Sequence, residues 1–174
     1  MSQANQMVGH RSELLAQVAL TRRLNIDVFN MDMGGEMGID FLCSIRDPSL
    51  PAFLPFGVLV WGTSDPLDTP EDLAKQVRGR RKKLDQRTRY FIPVIVLLFS
   101  MHNDREFYTW LVEPCEYSTQ LMDVTDLDFK PFDTKQLDRV IRRITNLYKR
   151  LAADIRPETT NISSSQFRGD EQDD

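Results

Sequence analysis

Met37-Gly38-Ile39-Asp40-Phe41-Leu42 sets one carboxylate inside an apolar, strand-like run. The next such run, Phe56-Gly57-Val58-Leu59-Val60-Trp61-Gly62-Thr63, offers it no charged partner. A buried Asp is costly unless it is hydrogen-bonded, paired or bound to a metal. Asp40 therefore belongs to an active site, to the remnant of one, or simply to a satisfied core. The rest of the chain has to say which.

Upstream, Glu13-Leu14-Leu15-Ala16-Gln17-Val18-Ala19-Leu20 repeats its apolar residues at helical spacing. This predicts a first helix over about 9–24, with Ser12 as cap and Glu13 in the first turn, where the helix dipole favours an anion. Ile26 to Met31 alternates like a strand, and Gly34-Gly35 marks a hairpin turn or bulge. A second strand is expected over about 37–45 and a third over 56–63; the third is apolar on both faces and so should be covered on both.

Downstream, Thr69-Pro70-Glu71-Asp72 reads as a helix start, with Thr69 accepting an early N–H and Pro70 in the first turn. Leu73, Val77 and Leu84 would give that helix its apolar side, and Gly79 weakens it by about 1 kcal/mol relative to Ala. Ile92 to Phe99 is a buried strand, paired through the Asn103-Asp104 turn with Glu106 to Val112, and residues 114–132 are irregular. Asp133 caps a last helix over 134–154, with Gln136 bonding back to it and Phe132 stapled on Leu137. Its stripe of Leu137, Val140, Ile141, Ile144, Leu147, Tyr148 and Leu151 is core or a dimer seam. The order is α-β-β-β-α-β-β-α: an α/β (α+β) protein with a mixed sheet of about five strands flanked by helices.

At 174 residues the chain suits one domain with one sizeable core. The expected organisation is an N-terminal extension over 1–8, a domain over 9–155, and a Ser/Thr-rich, acidic and disordered tail over 156–174. The longest apolar stretch, Phe91 to Phe99, is too short for a bilayer, and the N-terminus lacks a signal-peptide pattern. A cytoplasmic protein with no membrane partner is expected. Cys43 and Cys115 have no metal-ligand spacing and read as buried thiols, while His102 reads as a solvated loop residue and His10 has no acidic or thiol companion.

Charge is segregated. Lys75, Arg78, Arg80, Arg81, Lys82, Lys83, Arg87 and Arg89 face a single acid, Asp85, so this segment carries +7; with a net charge of −4, the remainder carries −11. The overall balance argues against a general nucleic-acid coat, but the segment itself can grip phosphates. Such a run is more often a solvated surface than an interface.

Four pieces in order, Arg11-Ser12-Glu13-Leu14-Leu15-Ala16, Gly38-Ile39-Asp40-Phe41, Phe56 to Thr63, and Ile92-Pro93-Val94-Ile95-Val96-Leu97 followed by Tyr108-Thr109-Trp110, carry a resemblance. Between Gly9 and Pro114 the chain resembles a bacterial domain-of-unknown-function family of the PD-(D/E)XK superfamily, which has the restriction-endonuclease-like fold. The resemblance implies a nuclease-like site in which Asp40 binds a divalent metal, Mg²⁺ or Mn²⁺, and Glu13 completes the ligand set. The third strand would supply an acid or amide, any residue, then Lys; those positions fall on Leu59-Val60-Trp61, which offers neither ligand nor cation. Loss of one such group removes about 3 kcal/mol of transition-state stabilisation.

The resemblance thus implies a degenerate active site. The chain would be a catalytically inactive module that binds DNA, RNA or a partner protein through residues 75–89, in a bacterial defence or mobile-element setting, with no cofactor. An active metal-dependent nuclease would need relocated groups: Glu36 as a third metal ligand and Lys75 as the cation. A third possibility is an assembly subunit, a homodimer or a scaffold for another protein, using a strand edge or the last helix. Beside these stand simpler roles: Asp40 as a hydrogen-bonded core acid, Glu13 as a solvated first-turn acid, and Trp61 and Trp110 as core aromatics, with an exposed Trp61 the alternative.

Overall fold

The strand-like runs become one mixed sheet. A computed structural model describes residues 3–31, 38–50, 53–81, 91–114 and 128–154, with side chains described at all of these except 3–5, 77 and 79–81. The turn at Gly34-Gly35, Glu36, Leu84, Cys115, the basic positions 82–89 and the expected tail lie outside the described residues.

After α1 (Gln3–Leu20), strands β1 (Ile26–Asn30), β2 (Phe41–Ile45) and β3 (Leu54–Thr63) form an antiparallel meander. Helix α2 (Pro70–Arg81) crosses to β4 (Val94–Ser100), which runs parallel to β3. Strands β5 (Glu106–Val112) and β6 (Lys130–Pro131) then add antiparallel neighbours, so the six strands lie in the sheet in chain order. Helix α3 (Thr134–Asp154) closes the fold. The expected α/β class stands, but the sheet has six strands rather than about five. The extra one is a two-residue pairing of Lys130 and Pro131 against β5, too short to leave a periodic signal.

Local chemistry explains the helix starts. The Thr69 hydroxyl accepts the Asp72 N–H at 3.2 Å, while the Asp72 carboxylate accepts the Thr69 N–H at 3.0 Å, a reciprocal cap. The Thr69 hydroxyl also donates to the Asp72 carboxylate at 2.8 Å, and that bond, with the one from the Thr69 N–H, holds the Asp72 carboxyl below its ordinary value. At α3, Asp133 accepts the Gln136 N–H at 2.7 Å. The Gln136 side chain does not bond back as expected; its carbonyl oxygen accepts the Tyr108 hydroxyl at 3.3 Å, which ties the cap to β5.

The first helix departs most from its sequence reading. It begins at Gln3 and ends at Leu20, so residues 3–8 are helix rather than extension. Ser12 is not a cap but an interior residue whose hydroxyl donates back to the Gly9 carbonyl at 2.7 Å. Its buried side is Ser12, Ala16, Ala19 and Leu20, whereas Leu14 and Val18 are exposed. The cause is a close approach to the sheet at Gly62. A Cβ there would stand 2.8 Å from the Ser12 hydroxyl and 2.9 Å from the Val8 carbonyl oxygen. Contact that tight selects small residues, Ser12 and Ala16, on the helix face nearest Gly62, and Leu14 and Val18 turn outward.

The sheet has a core on each side. Phe41, Cys43, Phe56, Val58, Ile95 and Leu97 pack with α1 and α3; Leu59, Trp61, Val94, Val96 and Leu98 pack with Leu67 and with Leu73 of α2. Both faces of β3 are covered, as its apolar run requires. The α3 stripe, with Leu137, Val140 and Ile144 buried in the first cluster, is core rather than a dimer seam. Cys43 is a buried thiol whose pKa burial raises, and His102 is exposed in the β4–β5 turn. Among the described residues, no helix is long and apolar enough to cross a membrane.

Candidate functional site

Asp40 stands just before β2, where the β2–β3 ladder runs out. Its own N–H donates to the Val58 carbonyl at 2.9 Å, and its carbonyl accepts the Met31 N–H at 2.9 Å. Two residues beyond Val58, the Val60 N–H would meet no further β2 backbone. The Asp40 carboxylate accepts it instead, through Oδ2 at 2.6 Å. One side chain thus extends a backbone ladder by a rung. A charge-assisted bond of this kind contributes about 1.5–3 kcal/mol.

The corner is acidic. Burial raises the Asp40 pKa above its ordinary value, the Val60 N–H opposes that shift, and the negative charge of Glu13 adds to it. The fold has therefore placed Glu13, half-buried on α1, within electrostatic reach of Asp40, the other carboxylate that the sequence singled out. It sends the other implied positions elsewhere. Leu59 and Trp61 are buried in the cluster beneath α2, on the sheet face opposite the helix that carries Glu13. On the α1 side β3 presents Val58, Val60 and Gly62. Trp61 is accordingly a core aromatic and not a contact point.

Lys75 lies on α2, exposed and across the sheet from α1, near Asp72 rather than Asp40. Gln76, its neighbour, donates to Asp65 at 2.9 Å. Among the described residues, no group of three or more His, Cys, Asp or Glu could hold a metal ion. Mg²⁺ asks for octahedral oxygen ligation. Two carboxylates, one of them with an oxygen already bonded to a backbone N–H, do not fit such a cradle.

A second region is built differently. In the parallel crossover, α2 carries the chain from the C-terminal end of β3 back to the N-terminal end of β4. The basic segment begins on this helix at Lys75, and its positions 82–89 lie outside the described residues. Arg78, near the C-terminus of α2, is exposed, as is Lys75. At the end of the sheet where β3 and β4 begin, Phe53, just before β3, is 72% exposed and Phe91, three residues before β4, is 85% exposed. The sequence flagged Phe91 only as a neighbour of the basic run and missed Phe53. The available signal for Phe53 was its place between Pro51 and Pro55, outside any alternating pattern. A third feature also escaped the sequence reading: Met7, Leu14 and Val18 form an exposed apolar stripe along α1.

No family model matches this chain, and neither a curated protein nor a solved structure matches it.

Proposed function

We propose that this chain is a nuclease-like module without a working metal cradle, and that it binds nucleic acid through the basic segment from Lys75 to Arg89. The order of helix, three-strand meander, helix and parallel strand supports the restriction-endonuclease-like reading. One observation carries the loss of catalysis: the Asp40 carboxylate is engaged by the Val60 N–H, while the positions expected to complement it, Leu59 and Trp61, are buried and apolar. The charge segregation carries the binding role, because +7 in one segment of an otherwise acidic chain concentrates attraction for phosphate in one place.

The test has two arms. Incubated with DNA or RNA and Mg²⁺ or Mn²⁺, the purified protein cleaves neither; cutting that stops in Asp40→Ala would instead establish an active nuclease with relocated groups. In fluorescence anisotropy, combined Arg80→Glu, Arg81→Glu and Lys82→Glu substitutions weaken binding to all sequences alike and flatten its salt dependence. Unchanged binding would reduce the segment to solvated surface.

The exposed stripe on α1 favours a second reading, an assembly subunit. Met7, Leu14 and Val18 recur at spacings of seven and four, which places them on one side of a helix. Light scattering of the parent and of Leu14→Glu separates the two readings: a self-associating chain loses mass on substitution, whereas a monomer does not change.

A further inference from the structure

We infer that β1 is the seam of a homodimer: two copies of this chain pair their β1 strands antiparallel about a two-fold axis at Val28, and their sheets join into one. The seam does not depend on nucleic-acid binding.

The two edges of the sheet are built differently. One is β6, two residues long, and those residues are Lys130 and Pro131. A very short strand, a lysine and a proline are devices by which sheets discourage pairing with another chain, and Pro131 has no N–H to offer. The other edge is β1, five residues in unbroken register with β2. It contains no Pro, Lys or Gly, and its one charged side chain, Asp27, is drawn onto Arg46 at 3.1 Å. Among the described residues, no strand pairs with its outer side.

The ladder with β2 fixes which backbone groups face outward. The Arg46 N–H donates to the Asn25 carbonyl at 2.8 Å, and the Met31 N–H donates to the Asp40 carbonyl at 2.9 Å. Residues 25 and 31 therefore turn their backbone toward β2. In an antiparallel pair every second residue does so, which adds Asp27 and Phe29. Ile26, Val28 and Asn30 turn theirs to the outer side. The Ile26 N–H is already bonded, to the Arg23 carbonyl at 3.2 Å. What the edge offers is the N–H of Val28 and Asn30 and the carbonyls of Ile26, Val28 and Asn30.

A two-fold axis at Val28 matches this set to itself. Each Val28 exchanges N–H and carbonyl with its own copy, and each Asn30 N–H reaches the partner's Ile26 carbonyl. The bonded Ile26 N–H closes the ladder there. Ile26 and Val28 pack on the α1 side of the sheet, so Asp27 and Phe29 lie on the other face. Phe29 is 53% exposed. In this register it stands opposite the partner's Asp27 and diagonal to the partner's Phe29, a separation that aromatic rings span. One patch thus serves both copies, as an isologous interface requires. A foreign strand would have to supply the same pattern from outside.

The test measures mass and amide exchange of the full chain across a concentration series. Light scattering shows the mass rising toward that of a dimer. The Val28 and Asn30 amides exchange slowly in concentrated samples and fast on dilution, whereas those of Asp27 and Phe29, bonded to β2, do not change. Asn30→Pro removes an outward N–H and no bond to β2, so it folds, as an unchanged melting curve in dilute solution verifies. It raises the dimer dissociation constant by about tenfold, while Asn30→Ala, which keeps the N–H, dimerises like the parent. Phe29→Glu weakens the dimer as well, by setting a like charge against the partner's Asp27.

A chain that stays monomeric to its solubility limit overturns the seam. So does a dimer that Leu14→Glu dissociates while the Val28 and Asn30 amides exchange freely, which assigns assembly to α1. Protection of those amides that persists unchanged on dilution overturns it too, because the edge is then covered by the same chain. Each of these outcomes leaves the nucleic-acid reading to its own assay.

Discussion

Phe56 and Phe53 are three residues apart and lie in opposite worlds. Phe56 is fully buried on the α1 side of β3, and Phe53 is 72% exposed at the strand's foot. The contrast extends to the regions around them. At the Asp40 corner every conspicuous feature is accounted for by folding: the carboxylate supplies a missing rung to β3, Gly62 admits α1, and Ser12 bonds within its own helix. At the foot of β3 and β4 the conspicuous features are two exposed rings, Phe53 and Phe91, which belong to neither core cluster. The residues that first look catalytic are thus the ones that the fold itself consumes. The residues left over are the better guide to what the protein binds.

The sharpest way to break this comparison is to truncate both rings. Phe56→Ala should lower stability by about 3–5 kcal/mol in urea unfolding. Phe53→Ala should change it by less than about 0.5 kcal/mol, which makes it the smallest effect expected here. Comparable losses at the two positions would mean that Phe53 has a structural partner and is not a spare surface.

Gly62→Ala tests the close approach of α1. The added Cβ would press on a backbone oxygen and the Val8 side chain, each 2.9 Å away, and an overpacked contact of this kind destabilises by about 1–3 kcal/mol. Asp40→Ala follows, losing about 1–3 kcal/mol as the Val60 N–H is left unpaired. Asp40→Asn keeps an acceptor and should lose less. If instead Asp40→Ala were neutral in unfolding experiments, the carboxylate would not be a rung of the ladder, and a functional role for it would regain force.

Asp40 also makes stability depend on pH. Asp40 has a folded pKa raised by burial and by Glu13, against the opposing Val60 N–H. The native state therefore holds this proton to higher pH than the unfolded chain does. Its contribution is fully present below the ordinary carboxylate value and is lost as pH rises through the folded value. Unfolding curves collected across that window should show this loss in the parent and not in Asp40→Asn. An identical pH profile in both would remove Asp40 as the titrating group.

Much of the architecture was legible in the sequence because it rests on short-range chemistry. Thr69 with Asp72, and Asp133 with Gln136, mark helix starts through bonds made within one turn. Alternation and apolar runs located β1, β3, β4 and β5. Helix α1 was misread because its orientation is set by a partner distant in the chain. The apolar spacing of Leu14 and Val18 pointed to the core, yet the tight contact at Gly62 turned the small residues inward. The site divides in the same way. Asp40 and Glu13 were found as residue types, but their approach, and the burial of Leu59 and Trp61 on the opposite face, depend on which side of β3 each helix covers.

The sequence by itself determined the mixed α/β class, the helix caps at Thr69 and Asp133, and the separation of a cationic segment from an acidic remainder, because periodicity, capping and charge are written into neighbouring residues. Only the tertiary structure decided that Asp40 serves the β3 backbone, that α1 shows an apolar stripe to solvent, and that Phe53 and Phe91 stand exposed at one end of the sheet. Those outcomes depend on strand register and on the direction of a crossover, and both are settled by contacts between residues far apart in the chain.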